Sequence, residues 1–336
     1  MIARYAILFF YTMGLVVVPL LLFFLCRWLL PKRYGKKVGI ALAAIVILLV
    51  AYGTIFGYTR LEVRHVEYVS SDLPDAFDGY RIVYFSDAHV GSMNGFEIGG
   101  KSSPITIGNR SSFLHAAIDS MLAQKADMIV FVGDLQNLEP TELLFQDKEL
   151  KRLRARDGVY SVLGNHDYAI YLPLSEEMKT ANEEAVQEFE RYLGWDLLMN
   201  EHRIIRRDSD SIVVAGMENW GEVKRMPRRG DVRKTLAGIT GHPFIVMLQH
   251  DPTAWRKKIL PESDAQLTLS GHTHGGQFCL FGWSPASLFY DEWNGTTYEG
   301  SRALDVSSGL GALIPFRLGM SGEIVVVTLR KNEDPS

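Results

Sequence analysis

Five short apolar runs, most of them rich in β-branched residues, each stop abruptly at side chains able to bind a proton or a metal, and this repeated ending is the strongest constraint on the fold. Arg81-Ile-Val-Tyr-Phe-Ser86 runs into Asp87-Ala88-His89, and Met128-Ile-Val-Phe-Val132 runs into Gly133-Asp134. Val159-Tyr-Ser-Val-Leu163 runs into Gly164-Asn165-His166-Asp167, and Phe244-Ile-Val-Met-Leu-Gln249 runs into His250. Leu267-Thr-Leu-Ser270 runs into Gly271-His272-Thr273-His274-Gly275-Gly276. Runs of this length and composition read as strands. In α/β sheets, sites form beyond the carboxyl ends of the strands. The pattern therefore predicts five strands whose ends meet at one edge.

The rest of the chain after position 60 fits that reading. Further strands are predicted at Leu61–Val69, Ile212–Ala215, Ala303–Val306 and Ile324–Leu329, with Gln266 opening the Leu267 run. Helices are predicted at Ser112–Lys125, Pro140–Arg156 and Glu183–Leu193, and a Gly/Ser-rich loop at Gly91–Gly108. Strands with interspersed helices imply an α/β class with covered sheets.

The residue types at the strand ends suit metal chemistry. Carboxylate and amide oxygens with imidazole nitrogens fit Mn, Fe, Zn or similar divalent ions, and the lack of thiolates argues against a structural zinc cage. Asp87, His89, Asp134, Asn165, His250, His272 and His274 are too many ligands for one ion. They suit two ions about 3.5–4 Å apart sharing a carboxylate. Glycines beside them let the backbone turn tightly.

Ahead of this domain lie two apolar runs, about residues 5–30 and 38–58, which together with their flanks form a predicted membrane anchor over residues 1–60. Each holds about 20 residues or more without an acidic group, enough to cross ~30 Å of hydrocarbon. Pro19 inside the first is tolerated by transmembrane helices. Arg27, Lys32, Arg33, Lys36 and Lys37 lie at the junction of the runs, and short basic loops stay in the cytoplasm. The domain at 61–336 is thus expected to be extracytoplasmic on a multi-pass chain in the cell membrane.

Between Arg4 and Arg60 there are seven basic residues and no acidic one. Taking these seven from the 35 Lys and Arg leaves 28 against 39 Asp and Glu, so the remainder carries −11. That charge disfavours nucleic acid as a partner, since phosphate contacts need clustered Lys and Arg. The stretch holding Lys224, Arg225, Arg228, Arg229, Arg233 and Lys234 is either a solvated loop or a collector of anionic groups. Cys26 and Cys279 are too differently placed to form a disulfide framework. The apolar stretch Phe278–Trp283, continued by Ser284–Phe289, either packs into the core or lines a mouth that touches the bilayer.

Taken together, Ser86-Asp-Ala-His89, Gly133-Asp-Leu135, Gly164-Asn-His-Asp167, Gln249-His-Asp-Pro252 and Gly271-His-Thr-His-Gly-Gly-Gln277 resemble the calcineurin-like metallophosphoesterase superfamily over about Tyr80 to Arg330. Ser307-Ser-Gly-Leu-Gly311 with Pro315-Phe-Arg317 resembles its bacterial membrane-associated branch. The resemblance implies two mixed β-sheets sandwiched by helices. It implies one metal held by Asp87, His89 and His274, a second by Asn165, His250 and His272, and Asp134 bridging them. It also implies a catalytic pair, with His166 binding the phosphoryl group or protonating the leaving oxygen and Asp167 orienting that imidazole. The implied activity is hydrolysis of a phosphoester or pyrophosphate, with a lipid-linked substrate at the membrane surface. The alternatives are a water-soluble phosphodiester or nucleotide substrate, or an inactive metal-binding sensor. Asp134 is followed by Leu135-Gln-Asn-Leu-Glu139 with no Arg, which disfavours the phosphoprotein phosphatases of the superfamily, and Asn137 stands where many relatives carry Asp.

Overall fold

The computed structural model describes residues 2–93, 96–98, 105–107 and 111–332. Two helical spans, Tyr5–Leu29 and Lys32–Gly57, are each long and apolar enough to cross a membrane. The second begins at Lys32 rather than near Val38, because nothing in Lys32–Lys37 interrupts a helix. In the first span Pro19 lacks the N–H that would continue the ladder and crowds the carbonyl four residues before it. The chain answers with a wide turn over Met13–Val17, directly ahead of the proline.

The soluble part is strand-rich from Leu61 onward. In chain order the strands are β1 (Leu61–Ser70), β2 (Arg81–Phe85), β3 (Phe96–Ile98), β4 (Ile105–Ile107), β5 (Met128–Val132), β6 (Val159–Val162) and β7 (Asp196–Leu197). They continue with β8 (Glu201–Arg207), β9 (Asp210–Gly216), β10 (Phe244–Leu248), β11 (Leu267–Ser270), β12 (Gly295–Glu299), β13 (Arg302–Val306) and β14 (Gly322–Lys331). One sheet has the order β1-β14-β2-β5-β6-β7 and the other β12-β13-β11-β10-β9-β8. Both are mixed, with β14 antiparallel to β2 in the first and both edge strands β12 and β8 antiparallel in the second. The remaining pairs are parallel, so β2, β5, β6, β10 and β11 all run with parallel neighbours toward the end where the polar motifs lie.

Alternation along the strands builds the layers. Ile82, Tyr84, Val130, Val132, Val214, Val246, Leu248 and Leu269 face between the sheets in one buried cluster. Val83, Phe85, Ile129 and Phe131 point the other way, onto Leu114, Ile118 and Met121 of the helix Ser111–Ala123 and Val186 of the helix Glu176–Tyr192. On the far face of the second sheet, Val213, Ile245, Met247 and Leu304 pack on Trp255 and Ile259. Arg64 on β1 grips Asp305 on β13 with two hydrogen bonds of 2.9 and 2.7 Å, and so ties the sheets together.

Several expectations shift. The helix predicted over Pro140–Arg156 is a 3₁₀ stretch, Pro140–Phe145, followed by a single turn, Asp147–Leu150. The Glu142 carboxylate turns back to accept from the amides of Asn137 and Leu138, which curls this segment onto the loop before it. The helix expected at Glu183–Leu193 starts at Glu176, where the Ser175 hydroxyl accepts from the Met178 amide as an N-cap. The loop expected at Gly91–Gly108 contains the paired strands β3 and β4, and much of it lies outside the described residues. Strands β7, β8 and β12 lack the apolar runs used to find the others. The outer two, β8 and β12, read Glu-His-Arg-Ile-Ile-Arg-Arg and Gly-Thr-Thr-Tyr-Glu, in keeping with the polar, charged sequences that protect sheet edges.

The spans are docked on the domain. The Arg317 amide donates to the Gly53 carbonyl at 3.0 Å, and Tyr11 donates to the Pro315 carbonyl at 3.2 Å. Phe10 and Phe316 meet with tilted rings, 4.9 Å between centroids. At Gly57 the approach is so close that a Cβ would stand 1.9 Å from the Arg317 carbonyl oxygen. In an isolated helix Gly→Ala stabilises by about 1 kcal/mol. Gly57→Ala is expected to do the opposite, costing about 1–3 kcal/mol through overpacking. Thermal unfolding of the full chain in detergent checks the sign, and an unchanged or raised midpoint would refute the docking.

Candidate metal centre

The strand-end side chains converge. Asp87 and His89 follow β2, Asp134 follows β5, Asn165 and His166 follow β6, His250 follows β10, and His272 and His274 follow β11. Three overlapping groups each bring their ligand atoms within 4.8 Å of one another: Asp87, His89 and His274; His89, Asp134 and His166; and Asp134, His250 and His272. Asp134 lies at the middle, with one carboxylate oxygen 3.2 Å from His250 Nε2 and 3.7 Å from His89 Nε2. His274 Nε2 is 3.6 Å from Asp87.

The backbone is bent to achieve this. Asp87, His89, Asp134, His272 and His274 all have positive φ, from 43° to 74°. Such left-handed turns cost an L residue roughly 1–2 kcal/mol each. Here they let residues two apart, Asp87 with His89 and His272 with His274, serve the same pocket. Close approach requires glycine at two neighbours. A Cβ on Gly164 would lie 2.2 Å from an Asp134 carboxylate oxygen, and one on Gly271 would lie 2.4 Å from that of Asp87.

The donor set fits a pair of divalent ions. Asp87 Oδ1, His89 Nε2, Asn165 Oδ1, His250 Nε2 and His274 Nδ1 are buried and make no hydrogen bond. Burying such atoms unpaired is costly unless something else satisfies them. Outer partners hold several ligands in a metal-ready state. The Val132 carbonyl accepts from His250 Nδ1 at 2.7 Å, which turns Nε2 toward Asp134. The Asn165 amide nitrogen donates to the Tyr171 hydroxyl at 2.8 Å, which aims its oxygen into the pocket.

Electrostatics point the same way. Burial, then the neighbouring His166, holds His89 well below its ordinary value, and burial with the Arg317 charge does the same to His274. His272 is also lowered, chiefly by burial. Neutral imidazoles are what a cation needs. His250 differs: burial lowers its basicity, but Asp134 outweighs this and raises it to about 10. Burial likewise pushes Asp134 up, and the facing imidazoles, His250 first, bring it well below the carboxylate range. The two form a neutral ion pair, with the His250 proton in the gap where a cation would take its place.

His166 lies at the open side. Its amide donates to Asp134 at 2.8 Å, and its Nδ1 meets the Asn137 carbonyl, so Nε2 is left to face the pocket. The expectation that Asp167 orients this imidazole is corrected. The Asp167 carboxylate accepts from the backbone amides of Asp134 at 2.9 Å, Leu135 at 3.1 Å, Gln136 at 3.3 Å and Gly164 at 2.9 Å. It is a positioning residue for the two loops. Burial and the Asp134 charge push it up to about 7, against the pull of those amides.

Other residues support the site in ways the sequence reading did not assign. Asn137 supports His166 through its carbonyl. Its side chain, in the orientation that satisfies every partner, donates to the His89 carbonyl at 3.1 Å and accepts from Ser92 at 2.9 Å. Asp251, followed by Pro252, reads as a turn residue. It does cap that turn through Thr253, and its other oxygen stands 3.6 Å from His272 Nε2. The Tyr290 hydroxyl meets the same nitrogen at 2.9 Å.

The family described as Calcineurin-like phosphoesterase matches residues 80–276. A zebrafish (Danio rerio) "Transmembrane protein with metallophosphoesterase domain" is 28% identical over 351 residues, covering 97% of this chain and 74% of the relative. The Bacillus subtilis metallophosphoesterase YkuE is 29% identical, covering 82% of this chain and 90% of its own. Among solved structures, the calcineurin-like phosphoesterase YfkN of Bacillus subtilis is 13% identical with a TM-score of 0.36, covering 68% of this chain and 81% of that one.

Replacing Asp134 with Ala removes the carboxylate common to two of the ligand groups. The wild type is expected to hold two divalent ions per chain by elemental analysis, and Asp134→Ala to lose both. A wild type saturating at one ion, or a variant keeping two, would overturn the shared-carboxylate assignment.

Proposed function

The chain belongs to the calcineurin-like phosphoesterase family, and we propose that it is a hydrolase that cleaves a phosphoester or pyrophosphate bond at a membrane surface, with two divalent ions of the Mn, Fe or Zn type. The observation that carries the reading is the set of buried, unpartnered ligand atoms on Asp87, His89, Asn165, His250 and His274 around Asp134. When bound, the ions would neutralise phosphoryl charge and supply a nucleophile at neutral pH. Asp87, His89 and His274 would hold one, and Asn165, His250 and His272 the other.

The protein's own groups do the rest. His166, half-buried at the rim, stands where a phosphoryl oxygen or a leaving oxygen would lie, and its Nε2 is the atom available to it. General-acid assistance there is worth about 10²–10⁴-fold. Asp167 keeps the Asp134 and Asn165 loops in register, and Tyr171, its ring tilted against His166 at 4.4 Å, closes one side.

The substrate we favour is an ester carried on a lipid. Two spans anchor the domain, the basic residues between them lie at the far end from it, and the relatives named above include a transmembrane protein. The basic junction of the spans supports an extracytoplasmic domain, since short basic loops stay in the cytoplasm. A water-soluble diester or nucleotide is the alternative substrate. A metal-binding sensor would show ions without turnover of any ester.

His166→Ala is expected to retain both ions, lose about 10²–10⁴-fold on esters with poor leaving groups, and lose far less on activated aryl esters. An equal loss on both classes would make His166 a phosphate binder instead. For orientation, a reporter fused after Tyr58 is expected to be active only outside the cytoplasm, and activity confined to the cytoplasm would reverse the assignment.

A further inference from the structure

The segment from Gln277 to Phe289 contains no charged residue and carries five large apolar side chains with little or no cover. Phe281 is 99% exposed, Phe289 79% and Leu288 68%, and Leu280 and Trp283 are about half exposed. Of the two readings the sequence left open, core packing holds for the base of the stretch and fails for its tips. Ser284 is fully buried and donates to the Gly275 carbonyl at 2.7 Å, beside the ligand His274.

Phe281 breaks two rules at once. Leu280 and Trp283 exchange hydrogen bonds of 2.9 and 3.1 Å around a two-residue turn, whose central residues, Phe281 and Gly282, have φ of 53° and 81°. Such a turn calls for Asn, Asp or Gly at its first position. A phenylalanine held in the left-handed region and almost wholly exposed gains nothing from the protein around it. Strain of this kind is an indication of function when something outside the fold compensates it.

The position of the segment identifies that partner. Cys279 and Leu318 are joined at 2.8 Å, and the Gln277 side chain donates to the carbonyls of Ile314 and Phe316 at 2.8 and 2.6 Å. Residues 315–317 are the very ones that dock on Tyr11, Gly53 and Gly57 of the spans. The apolar tips are thus continuous with the face from which the two spans leave the domain. At its other end the segment leads straight into Tyr290, which is bonded to His272.

We propose that residues 278–289 form a rim that inserts into the lipid–water interface and leads a lipid-borne phosphoester to the metal centre, a proposal that rests on the hydrolytic reading above for its second half. Trp and Phe favour that interface, and exposed apolar patches mark contact surfaces. Insertion of Phe281, Leu288 and Phe289 covers surface that the fold leaves bare. Since the rim's base touches the segment bearing His274, and its end carries Tyr290 to His272, the same loop links the bilayer to both sides of the site.

The test uses the full chain in lipid nanodiscs, with Cys26→Ser and Cys279→Ser removing the native thiols. A bimane label on Phe281→Cys is compared with one on Asp208→Cys, in the turn between β8 and β9 at the opposite end of its sheet from the metal centre. The label at 281 is expected to be quenched by nitroxide lipids and shielded from iodide, with the reverse at 208. Equal iodide quenching at both positions would overturn the insertion. In parallel, Phe281→Asp with Phe289→Asp is expected to lower turnover of a phosphodiester lipid in the disc about tenfold, while a soluble aryl phosphodiester changes less than about twofold. A matching fall on both would overturn the access role. A shielded label on a protein that turns over neither ester would uphold insertion and remove the hydrolytic reading.

Discussion

Four backbone amides close on one carboxylate, and most of the metal pocket depends on that closure. Asp167 is fully buried with no Arg or Lys against it. Its charge is balanced by N–H groups from the turn after β5 and the turn after β6. Those turns present Asp134, Asn165 and His166, so their spacing is set by an interaction that makes no contact with substrate or metal. Removing a partner from such a buried set leaves the remaining groups unsatisfied, which costs more than one hydrogen bond is worth. The strained turns at Asp87, Asp134, His272 and His274 persist because hydrogen bonds of this sort over-determine them.

The candidate ligands were legible in the sequence because each sits directly behind an apolar run, and chain adjacency does the positioning. The α/β class followed from the same runs, and the two-sheet architecture from the family resemblance that their endings carry. What escaped was whatever acts across the fold. Asp167 stands next to His166 in sequence yet bonds to residues around 135, and Asp251 reads as a turn residue although its second oxygen faces His272. Tyr290 lies 18 residues from the histidine it supports. Strands β7, β8 and β12 escaped for a different reason: they are short or lie at edges, where burial imposes no apolar pattern. The helix expected from Pro140 was lost to a single side chain, Glu142, which offers the neighbouring amides a better acceptor than water.

Arg317 draws the two halves of the molecule together. Its guanidinium is fully buried without a carboxylate and donates instead to the carbonyls of Ser308, Gly309, Gly311 and Ser321. Burial alone lowers it to about 10, so it remains a cation at neutral pH. The loop it gathers touches Asp87 from one side, through the Gly311 amide, while Arg317's own backbone meets the second span at Gly53. One residue therefore braces both a candidate metal ligand and the apolar spans. Its charge also bears on His274, which links the field at the ligands to the way the spans are seated.

Only three residues, Tyr58 to Arg60, separate the end of the second span from the first strand. A stretch that short reaches at most about 10 Å, and here even those residues are occupied, with Tyr58 buried and the Arg60 carbonyl accepting from Gly322. The domain consequently has no swivel: it is a fixture with one height and one heading relative to its spans. For a molecule dissolved in water such fixity changes little. For one moving within the same sheet of lipid, encounter becomes a search in two dimensions, and the speed of the reaction then follows the substrate's share of the surface rather than its amount in the surrounding volume.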